Sequence, residues 1–485
     1  MSRIQIAWRW MAGTCAIAGF LAGRLWAAPA GGSYAVVVSK QSYADPGWKA
    51  VADALLAKHG GRLMVYEKAA TEALPELQKL FPRYTCFVAT PAEASRRFVA
   101  EVSRLTRRYD EDPYTDTVWG ILTGFDAANA LRIATQDRPL VVRKVVSGTD
   151  VALDCCEEGV WWCELVKNRM VRKEKEGKPQ QLKGPDDTTK ALVDALNEYR
   201  PDLFVTSGHA TERDWQIGFR YRNGSFRSKG GTMMGVDTAG KTYAVDSPNP
   251  KVYLPIGNCL MGHIDSTDAM ALAWMNSAGV CQMVGYTVPT WYGYAGWGCL
   301  DYFLEQPGRY TFAEAFLANE HALVQRLGTC FPELARLDTE PGQIYRGAVA
   351  LGETAKLEKL TANDGRGLLH DRDVLAFYGD PAWEARMAEG GRAYEQTLAC
   401  DAGVYALEVK PMRGDKSFEA VNTNGSQRGG RPIIAFLPQR IRGIQVIEGK
   451  ELGAVVADDF VLVPNPGRCE ASRVYRVRFR AEPMP

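Results

Sequence analysis

The chain has 485 residues, of which 46% are hydrophobic and 24% charged, as is usual for globular domains. This composition excludes a disordered, collagen-like or low-complexity chain, and the 25 prolines and 47 glycines exclude long coiled coils. The 58 basic and 57 acidic residues nearly cancel, so no strong positive field is available to attract nucleic acid or an acidic membrane surface. The length corresponds to roughly three domains.

Residues 1–30 have the pattern of a secretory signal peptide. Arg3 and Arg9 form a positive start, residues 11–23 are apolar, and residues 28–30 offer small side chains for cleavage. The apolar stretch is too short to span a bilayer comfortably, and an uncleaved N-terminal anchor is the alternative. No later segment has the length of a membrane span. We therefore expect a secreted, periplasmic or cell-surface protein whose mature chain has no transmembrane segment.

Strands and helices alternate along residues 31–155, which we predict to be an N-terminal α/β subdomain. Apolar runs typical of buried strands occur at 34–38, 63–66, 86–89, 117–124 and 140–146. Helical spacing occurs between them, at 48–58, 73–80 and 92–105. This alternation predicts a mostly parallel sheet with helices on both faces.

The alternation resumes after a charged segment, 172–187, which we expect to be an exposed loop. Strands are predicted at 203–206, 252–256, 280–284 and 374–378, with helices at 188–199, 269–276 and 312–327. We assign residues 156–390 to a second α/β subdomain. Residues 391–485 contain short strands separated by turn residues, which indicates a small all-β sandwich whose alternating Arg476, Arg478 and Arg480 lie on a solvated face.

Two of the predicted strands end in side chains that can carry chemistry. His209 follows strand 203–206 through a Ser-Gly turn, and Cys259 follows strand 252–256 through Gly-Asn. If these strands are neighbours, both side chains project from the carboxyl edge of the sheet, where ligands bind in open parallel sheets. The imidazole could then activate the thiol, and the N–H groups of Cys259 and Ala210 could hold an oxyanion. A histidine that satisfies loop carbonyls and an inert packed cysteine are the structural alternatives.

These strand ends resemble those of clan CD cysteine peptidases, and most specifically those of the gingipain family. The resemblance covers residues 34–390, and residues 391–485 match the immunoglobulin-like module that follows gingipain catalytic domains. It implies a caspase-like α/β fold of two subdomains followed by an immunoglobulin-like sandwich. Four segments carry it, in the family's order: Ser207-Gly208-His209, Asn258-Cys259, residues 279–287 leading into Pro289-Thr290-Trp291, and Tyr378-Gly379-Asp380-Pro381.

The resemblance implies roles for individual residues. Cys259 would be the nucleophile and His209 the general base. Tyr286, Thr287 and Trp291 would line the pocket for the substrate side chain ahead of the scissile bond. The stretch 289–297 is rich in aromatic residues and glycine, as a pocket wall would be, although ordinary aromatic packing is the alternative.

The family also places an acidic residue upstream against the histidine. Asp154 is the leading candidate for this role, and Glu157 and Glu158 are the alternatives. The chain departs from the family in three places. Ala210 follows the histidine where the family has glycine, Asn258 precedes the cysteine where the family has a small residue, and the Gly-Arg pair common in the family's first subdomain is absent from residues 119–124. An alanine at a position that needed a positive φ would be disfavoured.

A metal site is the alternative to a nucleophilic role for Cys259. Cys259, His263 and Asp265 lie close in sequence, but no second cysteine or histidine pair has the spacing of zinc ligands. His263 could instead be an alternative base. We therefore predict no catalytic metal and no cofactor requirement, while the resemblance allows a structural calcium ion whose ligands the sequence does not specify.

Together these features predict an exported, gingipain-like cysteine endopeptidase that hydrolyses peptide bonds through a Cys-His dyad and a thioester intermediate. Its partner would be a polypeptide substrate and not a nucleic acid. The alternative is a catalytically weak or inactive relative, or a transpeptidase of the sortase kind, which binds extracellular polypeptides. A preference for arginine or lysine would require a carboxylate deep in the pocket, for which Asp268 and Asp301 are possible candidates.

Overall fold

A computed structural model describes residues 33–421 and 427–484, and the predicted leader at 1–30 lies outside the described residues. Strands and helices are numbered in chain order. The helices are α1 Lys40–Ala44, α2 Pro46–His59, α3 Leu74–Leu80, α4 Arg96–Leu105, α5 Ala127–Ala134, α6 Thr189–Asp194, α7 Met270–Ser277, α8 Tyr294–Phe303, α9 Phe312–Cys330, α10 Pro332–Ala335, α11 Glu353–Leu357 and α12 Ala362–Asp371.

Twelve strands form the central sheet, in the spatial order β2-β1-β3-β4-β17-β16-β15-β10-β6-β7-β8-β9. They are β1 Tyr34–Ser39, β2 Arg62–Tyr66, β3 Tyr84–Val88, β4 Val118–Leu122, β6 Lys144–Ser147, β7 Glu158–Trp162, β8 Arg169–Lys173, β9 Gln180–Lys183, β10 Leu203–Thr206, β15 Lys251–Pro255, β16 Val280–Tyr286 and β17 Leu375–Tyr378. Two smaller sheets contain β5 Leu140–Val142 with β18 Ala385–Met387, and β11 Asp214–Gln216, β12 Ser225–Lys229, β13 Thr232–Val236 and β14 Thr242–Val245.

The central sheet consists of two parallel halves that run in opposite directions. Strands β2, β1, β3, β4 and β17 are parallel to one another, and so are β16, β15, β10, β6 and β7. The halves meet where β16 and β17 pair antiparallel. The mostly parallel α/β sheet predicted from the alternation is therefore confirmed, and its central strands, such as β10 and β15, are fully buried, as is typical of parallel strands that helices cover.

Helices lie on both faces of the sheet. On one face the ring of Trp274 in α7 packs 4.2 Å from that of Tyr253 in β15. Tyr253 is paired with Met283 in β16, so Tyr286, three residues further along β16, points to the opposite face. There its hydroxyl accepts a hydrogen bond from the N–H of Gly296 in α8.

Two parts of the sheet architecture differ from the sequence prediction. The segment 172–187 is exposed, as expected, but the prediction of a loop is wrong because β8 and β9 form an antiparallel hairpin that extends the sheet. The four-stranded sheet of β11 to β14 was also not predicted. The strands of the β8 and β9 hairpin, one half-buried and the other exposed, contain no run of apolar side chains, which explains why the pattern missed them.

The C-terminal residues form two antiparallel sheets that share one apolar core. The predicted two-layer all-β arrangement is present, while its immunoglobulin-like topology stays a prediction. Arg476, Arg478 and Arg480 are exposed and alternate with buried residues, which confirms the solvated face. The strands are β19 Tyr394–Asp401, β20 Val404–Pro411, β21 Ile433–Phe436, β22 Ile441–Glu448, β23 Val455–Val456, β24 Phe460–Val463 and β25 Tyr475–Pro483.

Within the described part of the chain, no helix combines the length and the apolar character that crossing a membrane requires. The longest helix, α9, carries polar and charged side chains such as Glu314, Asn319 and Glu320 along its length.

A buried carboxylate ties the end of β17 to the start of the chain. Asp380 accepts hydrogen bonds from the hydroxyl of Tyr34 at 2.9 Å and from Lys58 Nζ at 2.9 Å, and its Oδ2 lies 2.8 Å from His59 Nε2. Burial acts to raise the pKa of the Asp380 carboxyl, but the hydrogen bond from His59 and the charge of Lys58 outweigh it and lower the pKa to about 2. The Gly-Asp-Pro segment after β17 therefore has a structural role, anchoring β1 and α2.

We expect Asp380→Asn to lower the free energy of unfolding at pH 7 by about 3 kcal/mol, because it leaves the cation of Lys58 without its buried partner. The carboxylate's contribution is present above the unfolded pKa of about 4 and is lost as pH falls toward 2. Urea unfolding of both proteins should therefore show a difference that narrows between pH 4 and pH 2. Asp53→Asn, which removes the exposed ion pair with Lys49, serves as the control and should leave stability unchanged. A constant difference across this pH range would contradict the assignment.

Candidate active site

His209 and Cys259 follow two strands that are direct neighbours in the sheet. Strands β10 and β15 pair in parallel, with Thr206 opposite Pro255. The expectation that the two strands are adjacent is therefore confirmed. His209 lies three residues beyond Thr206 and Cys259 four residues beyond Pro255, so both loops leave the same carboxyl edge of the sheet, where parallel sheets bind ligands.

The side chain of Asn258 joins the two loops. It is fully buried, its Oδ1 accepts a hydrogen bond from the hydroxyl of Thr206 at 2.8 Å, and its Nδ2 donates to the carbonyl of Gly208 at 3.2 Å. The residue before the cysteine is thus hydrogen-bonded to the residue before His209. Asn258 departs from the family's pattern, and in the structure its side chain holds the loop after β10 against the loop after β15.

The sulfur of Cys259 is partly exposed and faces the loop after β16. The backbone N–H of Thr290 donates toward Sγ, with a nitrogen–sulfur distance of 3.2 Å. Leu260, the next residue, has a φ of +58°, an unusual value for a residue with a branched side chain. Such strained backbone is concentrated at functional sites, because surrounding structure must hold it in place. The sequence gives no warning of this turn.

The imidazole of His209 is exposed and stacks on an aromatic ring. The ring of Phe219 lies 4.7 Å from the imidazole, at an interplanar angle of 29°. The turn that delivers the histidine uses Gly208, whose φ of +100° suits glycine. Ala210 is absent from the described residues with a positive φ, so alanine introduces no backbone strain there. Stacking on Phe219 restricts how the imidazole can rotate.

The two candidate oxyanion donors lie in these same loops. Ala210 forms an isolated antiparallel bridge with Trp215, in which the hydrogen bonds are made by the residues on either side, so its own N–H points away from the bridge. Neither this N–H nor that of Cys259 donates a hydrogen bond within the described residues. Both remain available to a substrate carbonyl oxygen.

The buried side chain of Glu164 lies against the turn that delivers His209. Its Oε2 lies 3.7 Å from the position that a Cβ on Gly208 would occupy, and it has no hydrogen-bond partner among the described residues. Its Oε1 accepts a hydrogen bond from the hydroxyl of Thr149 at 3.0 Å, and its carbonyl accepts one from the N–H of Phe219 at 2.6 Å. Burial raises the pKa of Glu164 to about 7.

The three acidic residues considered from sequence lie before β7 or at its first residue, whereas Glu164 lies beyond the carboxyl end of that strand. Glu158 begins β7, and Glu157 forms ion pairs with Arg143 and Lys175 next to the amino end of the sheet. Asp154 is exposed in a short turn that leads into the same end. The rule that located His209 and Cys259, a polar side chain just after a parallel strand, would also have located Glu164.

The predicted pocket residues separate into one exposed and two buried side chains. Tyr286 and Thr287 are fully buried, with the hydroxyl of Tyr286 bonded to Asp371 and that of Thr287 to the carbonyl of Val374. The expectation that they line a substrate pocket is corrected, because neither offers a surface to a ligand. Trp291 is 37% exposed and directly follows Thr290, the residue that contacts the sulfur.

His263 does not join Cys259 and Asp265 in a metal site. It lies 3.0 Å from the carboxylate of Glu212 and is also contacted by the guanidinium of Arg96. Its ring nitrogens are therefore occupied by a surface ion-pair network.

One group of acidic side chains among the described residues has the geometry to hold a cation. The carboxylates of Asp110, Asp112 and Asp116 lie within 4.8 Å of one another. Oxygen ligands of this kind suit calcium, but Arg440 of the C-terminal domain already donates a hydrogen bond to Asp110 and to Asp458 beside it. A calcium site stays a prediction.

No protein-family model and no curated protein matches the chain. Its structure is similar to a solved structure described as a complex of Porphyromonas gingivalis RgpB pro- and mature domains, with 12% identity, a TM-score of 0.41 and coverage of 92% of this chain and 99% of the other. A structure described only as a protease is similar at 10% identity and a TM-score of 0.38, covering 92% and 97%.

We expect Thr206 and Asn258 to be energetically coupled, because the hydroxyl and the amide form a buried hydrogen bond between the two loops. In a double-mutant cycle of Thr206→Val and Asn258→Ala, the coupling in the free energy of unfolding should be about 1 kcal/mol. Asn258→Ala alone should cost about 1–3 kcal/mol, since it also leaves the carbonyl of Gly208 without its partner. Thr85→Val, in the other half of the sheet, is the control and should be additive with Asn258→Ala.

Proposed function

We propose that the chain is a cysteine peptidase in which Cys259 is the nucleophile and His209 the general base. The observation that carries this proposal is the parallel pairing of β10 and β15, together with the hydrogen bonds of Asn258 that join the loops after them. A thiol and an imidazole from adjacent strand ends, both accessible to solvent, are the groups that acyl transfer requires. The resemblance of these strand ends to the gingipain family agrees with this assignment.

In the first step the sulfur of Cys259 attacks the carbonyl carbon of the scissile peptide bond while His209 accepts the thiol proton. The carbonyl oxygen becomes an oxyanion, which the free N–H groups of Cys259 and Ala210 are able to bind. The C–N bond then breaks, His209 returns the proton to the leaving amine, and the acyl group remains on the sulfur as a thioester.

In the second step water hydrolyses the thioester. His209 accepts a proton from the water as its oxygen attacks the acyl carbon, and the C–S bond breaks to release the carboxylic acid. The proton held by the imidazole returns to the sulfur, so the enzyme is regenerated and one peptide bond and one water are consumed. This cycle uses only side chains and backbone N–H groups of the chain.

Glu164 is proposed as the acidic residue that supports His209. Its carboxylate lies beside Gly208, its backbone accepts a hydrogen bond from Phe219, and Phe219 stacks on the imidazole. A carboxylate in this place stabilises the positively charged imidazole that forms when the thiol is deprotonated. This assignment replaces Asp154, which lies in the turn before β7. Export through the leader at 1–30 belongs to the same proposal.

We expect Cys259→Ala to abolish labelling by an acyloxymethyl ketone peptide probe, because the probe alkylates an activated thiol. Circular dichroism should show an unchanged fold. His209→Ala should slow labelling of Cys259 by about 100-fold, the usual contribution of a general base. The measurement is mass spectrometry of the labelled peptide over time.

Cys400→Ala provides the matched control for this experiment. Cys400 is also a partly exposed thiol, but it lies in the C-terminal domain, so its removal should leave labelling unchanged. Equal labelling of wild type and Cys259→Ala would contradict the proposed function.

We expect the labelling rate of the wild type to fall as pH decreases through about 7, because protonated Glu164 no longer stabilises the imidazolium of His209. Glu164→Gln should lower the rate at pH 8 by about tenfold or more and flatten its dependence on pH between 6 and 8. Asp154→Asn is the comparison and should leave the profile as in the wild type. The reverse result, an effect of Asp154→Asn alone, would assign the supporting role to Asp154.

A further inference from the structure

Helix α8 flanks the candidate site, and two carboxylates lie on it or just beyond its end. The helix begins three residues after Trp291, and its Trp297 reaches the turn before Cys259, with Nε1 3.9 Å from the position that a Cβ on Gly257 would occupy. Asp301 lies one turn further along α8, and Glu305 follows the helix. These two carboxylates are the ones that a basic substrate side chain entering beside α8 would need.

Both carboxylates are already paired with arginines of the segment that leads into β21. Arg431 Nε donates to Asp301 Oδ2 at 2.7 Å, and Arg428 donates to Glu305 Oε1 at 3.2 Å. The four side chains are almost completely buried. The N–H of Gly429 donates to the same Asp301 oxygen at 2.9 Å.

Aromatic rings of α8 complete the binding of these arginines. The guanidinium of Arg431 lies 3.7 Å from the ring centre of Tyr294, and that of Arg428 lies 4.6 Å from that of Trp297. Each arginine therefore has one carboxylate and one aromatic face as partners. Each of the two carboxylates already faces a buried guanidinium, so neither is an unpaired charge that awaits a cation.

The remaining charges around the site do not favour a basic substrate. Glu164 is buried on the other side of the loops, where the positive charge of Arg428 lowers its pKa against the larger effect of burial. Glu212 is paired with His263, and Arg220 is exposed directly after Phe219. A cationic side chain near His209 would therefore find carboxylates that already have partners. It would also be repelled by the positive charge of Arg220.

The surface that remains exposed beside the reacting groups is aromatic. Phe219, which stacks on His209, is 45% exposed, and Trp291, next to the residue that contacts the sulfur, is 37% exposed. Large aromatic rings left open to water at the two reacting side chains are typical of surfaces that bind apolar groups.

We propose that the site selects polypeptides with a large apolar side chain, and not a basic one, immediately before the scissile bond, and that Phe219 and Trp291 bind that side chain. The inference rests on the proposed function, because it specifies the substrate class of the same site. The acidic groups of α8 serve instead to hold the segment 427–431 against the catalytic domain.

The test uses the full chain and two acyloxymethyl ketone peptide probes that differ only in the residue before the reactive carbon, phenylalanine in one and arginine in the other. We expect the phenylalanine probe to label Cys259 at least about tenfold faster, the discrimination that an apolar site provides. Phe219→Ala and Trp291→Ala should each slow labelling by the phenylalanine probe by about fivefold or more. The rate with iodoacetamide, which has no side chain to bind, measures any change in thiol reactivity in each variant, and the fivefold loss is taken relative to that rate.

Leu357→Ala is the control, since Leu357 is 82% exposed in α11 and belongs to no part of the site. It should leave both probe rates unchanged. An arginine probe that reacts as fast as the phenylalanine probe, or faster, overturns the inference and leaves the proposed function standing. Unchanged phenylalanine-probe rates in both aromatic variants also overturn it. If neither probe labels Cys259, the proposed function fails and the inference fails with it.

Discussion

The hydrogen bonds of one buried amide hold the candidate reacting groups in relation to each other. Asn258 binds the hydroxyl at the end of β10 and the carbonyl before His209, while the next residue along its own chain is Cys259. Parallel pairing alone brings two strand ends to the same edge but leaves the loops beyond them free to diverge. With the amide in place, the loops that carry Cys259 and His209 are hydrogen-bonded to each other, and the proposed base catalysis and oxyanion binding both rely on this arrangement.

The strands that position this unit could be predicted because their apolar runs are short, continuous and bounded by turn residues. The runs that became β10 and β15 are fully buried, and strands covered on both faces are apolar along their whole length. The hairpin of β8 and β9 could not be found this way, since neither strand is a continuous apolar run. Pairing between distant strands, and the reversal of direction at β16 and β17, are properties of the whole sheet that no local pattern encodes.

Candidate residues that follow strands can be located from sequence, whereas those positioned by tertiary contacts cannot. His209 and Cys259 are recognisable from the turn residues before them, whereas Phe219 becomes relevant only because its ring packs on the imidazole. The resemblance placed Tyr286 and Thr287 in a pocket, but both side chains are buried in the fold. The alanine after His209 needs no positive φ, so one of the two reasons to expect an inactive relative has no structural basis.

The paired arginines before β21 tie the C-terminal sheets to α8 through two buried ion pairs. A chain ending near residue 390 would lose both arginines, and breaking a buried ion pair by removing one partner is strongly destabilising. The α/β part of the chain is therefore expected to be less stable without the C-terminal sheets. Any shuffling of such modules between genes would have to carry the helix and the arginines together.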